Sequence, residues 1–192
     1  MLATSLCLSM AANAAGNFHF PVGIAYASGI SDATDKLANE YSQEGYNVSK
    51  VNVPLGLVFD PYYEWQTSFG AIGGGLSLGP TALVAVDNSG YGTISDLSYA
   101  IPVGPFVRYT PWPDATVSPY VRGGFRYTFA GGSFESSDIG IFGAVGVDLW
   151  RNKGFGVSVE AGYDSSTLKV SEGSYSSNVS FPGFTVSLSV LF

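Results

Sequence analysis

Charge is scarce in this chain: Lys, Arg, Asp and Glu make up 12% of 192 residues, with 8 basic against 15 acidic side chains. A net charge of −7 leaves no surplus of Lys or Arg to neutralise phosphates, which argues against a nucleic-acid partner. One cysteine, Cys7, allows no internal disulfide, and one histidine, His19, gives little for catalysis or metal binding to build on. Long apolar runs are missing too. No stretch approaches the roughly 18 uninterrupted apolar residues of a membrane helix, so a chain of this kind that spans a bilayer must do so as strands closed into a barrel. What the sequence does have is 25 glycines and 15% aromatics, a composition too apolar for disorder and suited to one closed domain.

The first residues point to export. Residues 2–12 are apolar and small, and Ala12-Asn13-Ala14 is an A-x-A site. The expectation is a cleaved signal-peptide remnant at 1–14, without a positively charged start, followed by a barrel domain at 15–192. Cys7 would leave with the peptide, and Leu6 before it is too large for a lipoprotein cleavage box.

Residues 184–192 alternate cleanly, with Phe184, Val186, Leu188, Val190 and Phe192 on one face. Period-2 runs elsewhere cover 18–27, 46–59, 64–78, 101–110, 117–129, 139–150 and 155–169, and the last run extends over 179–192. Each has the roughly 9–11 residues that a tilted membrane strand needs. Tight connections at 60–63, 111–116 and 151–154 alternate with longer ones at 28–45, 79–100, 130–138 and 170–178. Short turns on one side and long loops on the other are the pattern of outer-membrane barrels. The predicted fold is therefore all-β, an eight-stranded antiparallel up-and-down transmembrane barrel in the bacterial outer membrane.

Aromatics cluster beside the chain ends and short turns. Phe18, Phe59, Tyr62, Tyr63, Trp65, Tyr109, Trp112, Trp150, Phe155 and Phe192 are read as a periplasmic girdle. The faces opposite the apolar ones carry charge. On the fifth strand Arg122 and Arg126 lie as far from the strand start as Glu160 and Asp164 do on the seventh, and the sixth strand between them offers Gly140, Ala144 and Gly146. Adding Lys50, Glu64, Arg108 and Asp148 gives an expected interior of four cations and four carboxylates. Paired charges persist away from water where isolated ones do not, so a small barrel plugged by its own ion pairs is expected. Pro54 and Pro105 fall inside strands and predict bulges or bends, because proline cannot donate to a ladder. The run 70–75 predicts a close packing point or a register change.

The stretch Pro105-Phe106-Val107-Arg108-Tyr109-Thr110-Pro111-Trp112 before a tight turn, Pro119-Tyr120-Val121-Arg122-Gly123-Gly124 after it, and the closing Phe192 resemble the small outer-membrane barrels of the OmpA, OmpX and OmpW type. The resemblance spans nearly the whole mature chain and implies an architecture rather than a ligand. It implies outer-membrane lipid and, through the C-terminal strand, the barrel-assembly machinery as partners, and it leaves open an extracellular partner or a small apolar solute.

Enzyme readings find little support. Gly75-Leu76-Ser77-Leu78-Gly79 matches G-x-S-x-G, but Pro80 follows where the motif needs a helix, and no histidine follows in the chain. His19 is expected inside, near the periplasmic rim, as a hydrogen-bonded neutral residue. Asp32, Asp35 and Glu40 do not follow a recognised calcium-loop spacing, so no metal or cofactor is expected. Residues 31–41 predict a short surface helix. The leading expectation is a non-enzymatic barrel with a structural or surface-interaction role through its outer loops. A narrow channel or binding barrel for a small apolar solute is the alternative, and a lipid-modifying enzyme a distant third.

Overall fold

Alternation of apolar and small or polar residues sets the architecture, because every second side chain on a strand points to the same face. The computed structural model describes residues 16–43, 49–51, 55–87, 96–136, 138–151, 155–172 and 175–192. The expected signal segment at 1–14 and Pro54 lie outside them. The first stave of the barrel is β1 (Asn17–His19) and β2 (Pro21–Ala27), followed by the helix α1 (Ser28–Gln43). The second stave is β3 (Ser49–Val51), β4 (Leu55–Phe59) and β5 (Tyr62–Thr67), and the third and fourth are β6 (Gly70–Asp87) and β7 (Asp96–Thr110). Then come β8 (Val117–Gly131), the short β9 (Phe134–Ser136), β10 (Ile139–Leu149), β11 (Gly156–Asp164), the hairpin β12 (Thr167–Glu172) and β13 (Tyr175–Ser180), and β14 (Phe184–Leu191).

Chain neighbours pair antiparallel around the wall, and β14 pairs β2 to close eight staves into a barrel. β4 and β5 both run against β6, and they pair β2 and β1 on their other side. The hairpin between the second and third staves is therefore at residues 68–69. This corrects the tight turn expected at Asp60-Pro61-Tyr62-Tyr63, which instead lies inside one continuous stave. The parity of the side chains explains why: Leu55, Leu57, Tyr63 and Trp65 are all exposed on the outer wall, so the alternation passes through Asp60-Pro61 without a break. At the true turn Gly70 takes φ 133°, a left-handed conformation that glycine alone adopts readily.

The expected bulge at Pro105 is absent, since Pro105 pairs Leu76 in register. The register shift comes in β6 instead, between Leu78 and Ala82 against β7, opposite a shift between Leu57 and Phe59 in β4. Gly79, with φ 111°, provides the local reversal there. Residues 70–75 stay in register, and glycine is required at Gly75 because a Cβ there would overlap Tyr62.

The wall's outer face is apolar over its whole girth, including Val22, Ile24, Leu57, Val107, Val121, Phe125, Ile141, Val145, Val159 and Leu188, all exposed. An apolar band of this extent is the face that hydrocarbon covers. Among the described residues no helix is long and apolar enough to cross a membrane. Connections at 68–69, 111–116 and 150–155 are short, and α1 and the β9–β12–β13 sheet project from the opposite end. In outer-membrane barrels the short turns face the periplasm and the long loops the outside.

Candidate functional site

Inside the wall the even-numbered residues of β8 and β10 meet those of β11 in a packed polar column. At the short-turn end Arg151 pairs with Glu64 and lies 3.6 Å from Asp148, and its Nη2 sits 3.3 Å from Nε2 of His19. Arg108 pairs with Asp148, donates to Thr110 at 3.2 Å, and Thr110 in turn donates to Glu64 at 3.3 Å. The Arg108 guanidinium also lies over the Tyr120 ring at 3.5 Å, a cation–π contact that strengthens away from water.

In the middle, Arg122 bridges two acids. It stands 2.6 Å from Asp60 and donates to Glu160 at 2.7 Å. Tyr120 donates to the second oxygen of Glu160 at 2.9 Å. Toward the outer end Ser77 donates to Asp60 at 2.7 Å and accepts from Arg126 at 2.6 Å, and Arg126 pairs with Asp164 at 3.2 Å while lying over Phe142 at 3.8 Å. Asp164 finally accepts from the backbone N–H of Ser166 at 2.8 Å.

Registry explains how these groups meet. Arg122 is directly paired through Ala144 to Gly162, not to Glu160. Hydrogen-bonded rows run across strands that tilt against the barrel axis, so groups at one height are offset along the rows. The small sixth stave makes room for them. A Cβ at Gly146 would overlap the Tyr120 ring, and one at Gly162 would crowd Ala144.

Of the residues named from the sequence, Glu64, Arg108, Arg122, Arg126, Asp148, Glu160 and Asp164 are brought together in this column. Lys50 pairs Val86 through the backbone of β3, and its side chain lies outside the described residues. Asp60, Ser77 and Arg151 are additional members that the sequence reading missed, and Tyr120, on the same even-numbered face of β8 as Arg122 and Arg126, adds a neutral donor. Asp60 and Arg151 stand where the sequence reads as turns; the unbroken parity from Leu55 to Trp65 is the signal that points Asp60 inward.

The girdle also needs correction at Tyr62. Tyr62 is 2% exposed, stacked on His19 at 4.8 Å inside the barrel, because it shares the inward parity of Asp60 and Glu64. Phe59 faces outward, half-buried against Phe20 at 5.0 Å beside the chain ends, where the N–H of Phe20 donates to the carbonyl of Phe192. Phe18, Tyr63, Trp65, Trp112, Trp150, Phe155 and Phe192 are exposed toward the short-turn end, and Tyr109 is half-buried beside Phe69.

An apolar cap tops the polar column. Ala27, Ile30 and Ala33 pack with Ala100, Phe134, Leu168, Val170, Val179 and Phe181 in one buried cluster. Segments expected as loops at 130–138 and 170–178 thus contribute β9, β12 and β13, and the helix expected at 31–41 runs longer, over α1. Ser28 accepts from the N–H of Phe184 at 3.1 Å, and Lys36 donates to the carbonyl of Asn178 at 2.5 Å, so the helix is tied to the start of β14 and to β13 of the hairpin. Among the described residues no group of three or more His, Cys, Asp or Glu is placed to hold a metal ion.

A closed eight-stave antiparallel wall, an apolar outer belt and a charge-filled interior together define the fold of the small outer-membrane barrels. Among solved structures the chain is similar to the outer membrane protein OprG from Pseudomonas aeruginosa, with 13% identity and a TM-score of 0.58 over 93% of this chain and 96% of OprG. It also matches Neisserial surface protein A, NspA, at 12% identity and a TM-score of 0.46 over 92% of this chain and 96% of that one. No protein-family model and no curated protein matches the chain.

Proposed function

We propose that the protein is a closed, non-enzymatic outer-membrane scaffold whose work is done at its outer end, as a structural or surface-interaction element. The observation that carries this reading is the series of ion pairs and hydrogen bonds from Glu64 to Asp164, its lower and upper groups joined by the Arg108–Tyr120 cation–π contact, with the apolar cap above. Two spaces between these side chains, one beside Arg126 and Phe142 and one beside Tyr62 and Arg108, measure about 10 Å³ each, room for nothing larger than a water. The cap then presents α1 and the β12–β13 hairpin as a pre-shaped outer surface, held by the cluster beneath it. His19 supports the non-enzymatic part: its nearest carboxylate, on Glu64, is 3.9 Å away, beyond hydrogen-bond reach, and its ring is stacked and buried.

The test is single-channel conductance of the refolded chain in a planar bilayer, with Arg122→Ala and Glu160→Ala beside the wild type. A closed scaffold gives a silent wild type after verified insertion. Steady wild-type openings altered by either substitution would sink this reading. The same cap carries the alternative, a binding barrel for a small apolar solute, since Phe134, Leu168, Val170, Val179 and Phe181 form an apolar chamber filled by Ile30 and Ala33 of the protein's own helix region. Saturable binding of an apolar probe that weakens on Leu168→Asp would favour that alternative.

A further inference from the structure

At the short-turn end, two adjacent turns wall a groove that the closed-barrel reading does not use. Residues 66–70 and 111–115 line an open groove of about 610 Å³, within the size range of small-ligand sites. Its shape is fixed by the chain itself. Thr67 Oγ1 donates to the carbonyl of Gly70 at 2.7 Å, Tyr109 donates to the carbonyl of Phe69 at 2.7 Å, and Ser118 Oγ donates to the carbonyl of Ala115 at 2.8 Å.

Phe69 and Trp112 line this groove and stand 57% and 64% exposed. The Phe69 ring lies 6.3 Å from that of Tyr109, whose position on β7 belongs to the outward-facing set with Val107. The groove is therefore continuous with the lipid-covered wall, at the level where an aromatic girdle meets headgroups. Its remaining lining is selective. Asp114 contributes a carboxylate, Gln66 and Ser68 contribute neutral donors and acceptors, and among the described residues no Lys or Arg lines the groove.

From this chemistry we propose that the groove seats the headgroup of an ammonium-bearing phospholipid of the adjoining leaflet. The ammonium lies against the Trp112 and Phe69 π-faces, which attract cations through the ring quadrupole, and Asp114 adds charge complementarity. Gln66 and Ser68, which line the same groove, supply hydrogen bonds to the phosphate. An anionic glycerol headgroup gains none of the cation–π attraction and is repelled by Asp114.

The full chain is refolded into phosphatidylglycerol vesicles in a Trp65→Phe/Trp150→Phe background, so that Trp112 alone reports. Brominated phosphatidylethanolamine or brominated phosphatidylglycerol is then titrated as the quencher. The ammonium lipid is expected to quench at a mole fraction about two- to fivefold lower than the anionic one. Asp114→Asn and Phe69→Ala should each bring that ratio toward one; both sit in exposed turns, folding is checked by heat-modifiable mobility, and either variant suffices alone. Equal quenching by the two lipids with the turns intact, or a preference that survives substitution, overturns the proposal.

Discussion

Replacing Arg122 with methionine keeps an unbranched apolar stem and deletes the guanidinium charge that separates two buried acids. Asp60 would keep its bond from Ser77 and Glu160 its bond from Tyr120, but the guanidinium that sits 2.6 Å from one and donates at 2.7 Å to the other would be gone. Removing one partner of a buried ion pair costs about 3–5 kcal/mol, because the remaining charge stays out of water without compensation. With a urea dependence of about 2 kcal/mol/M, the unfolding midpoint should fall by about 2 M. The assay is equilibrium urea unfolding of the refolded barrel, followed by tryptophan emission and by heat-modifiable mobility. The triple variant Asp60→Asn/Arg122→Met/Glu160→Gln removes all three charges and should recover at least half of the loss, since no charge is left unpaired. A cost below about 1 kcal/mol for the single variant, or a triple variant no more stable than the single one, would refute the claim that this triad is an electrostatic unit.

Two further expectations separate the faces of the wall. Gly146→Val drives a side chain into the Tyr120 ring and should cost about 1–3 kcal/mol, whereas Gly143→Val, three residues earlier on the opposite face with open space around it, should stay within about 0.5 kcal/mol by the same unfolding assay. Leu188→Arg places a charge in the middle of β14 on the exposed apolar face and should destabilise the bilayer-embedded barrel by about 2–4 kcal/mol; a neutral result would mean that this face is not lipid-covered.

The architecture was legible because alternation is a direct record of burial on a strand. The runs at 117–129 and 184–192 alone indicate two-faced staves, and the contrast of short and long connections orders them. Turn chemistry misled the reading at one point. Asp60-Pro61 is a strong local turn signal, yet the wall keeps Pro61 within a continuous stave because its neighbours Leu57, Phe59, Tyr63 and Trp65 all demand the same face. The interior was readable only as far as strand parity reaches. Arg151 follows Trp150, which takes φ 57°, and nothing in a one-dimensional pattern indicates that a residue in so tight a turn sends its side chain into the barrel. The cap was hidden for a different reason. Its strands are short, with β9 only three residues long, and their apolar residues alternate over too few positions to stand out from a loop.

The seam between β2 and β14 differs in kind from the other joints of the wall. The remaining pairings link elements close in sequence, but this one brings residues 21–27 beside residues 185–191, so the loop it closes spans nearly the whole chain. Loop-closure entropy makes such a contact late to form, and until it forms the sheet has two unpaired edges. An unsealed chain can satisfy those edges only by curling onto itself or by joining another unsealed copy, edge to edge. Crowding of nascent chains should therefore trade barrels for strand-swapped assemblies, and the yield of monomer on refolding should fall with protein concentration even when every stave is intact.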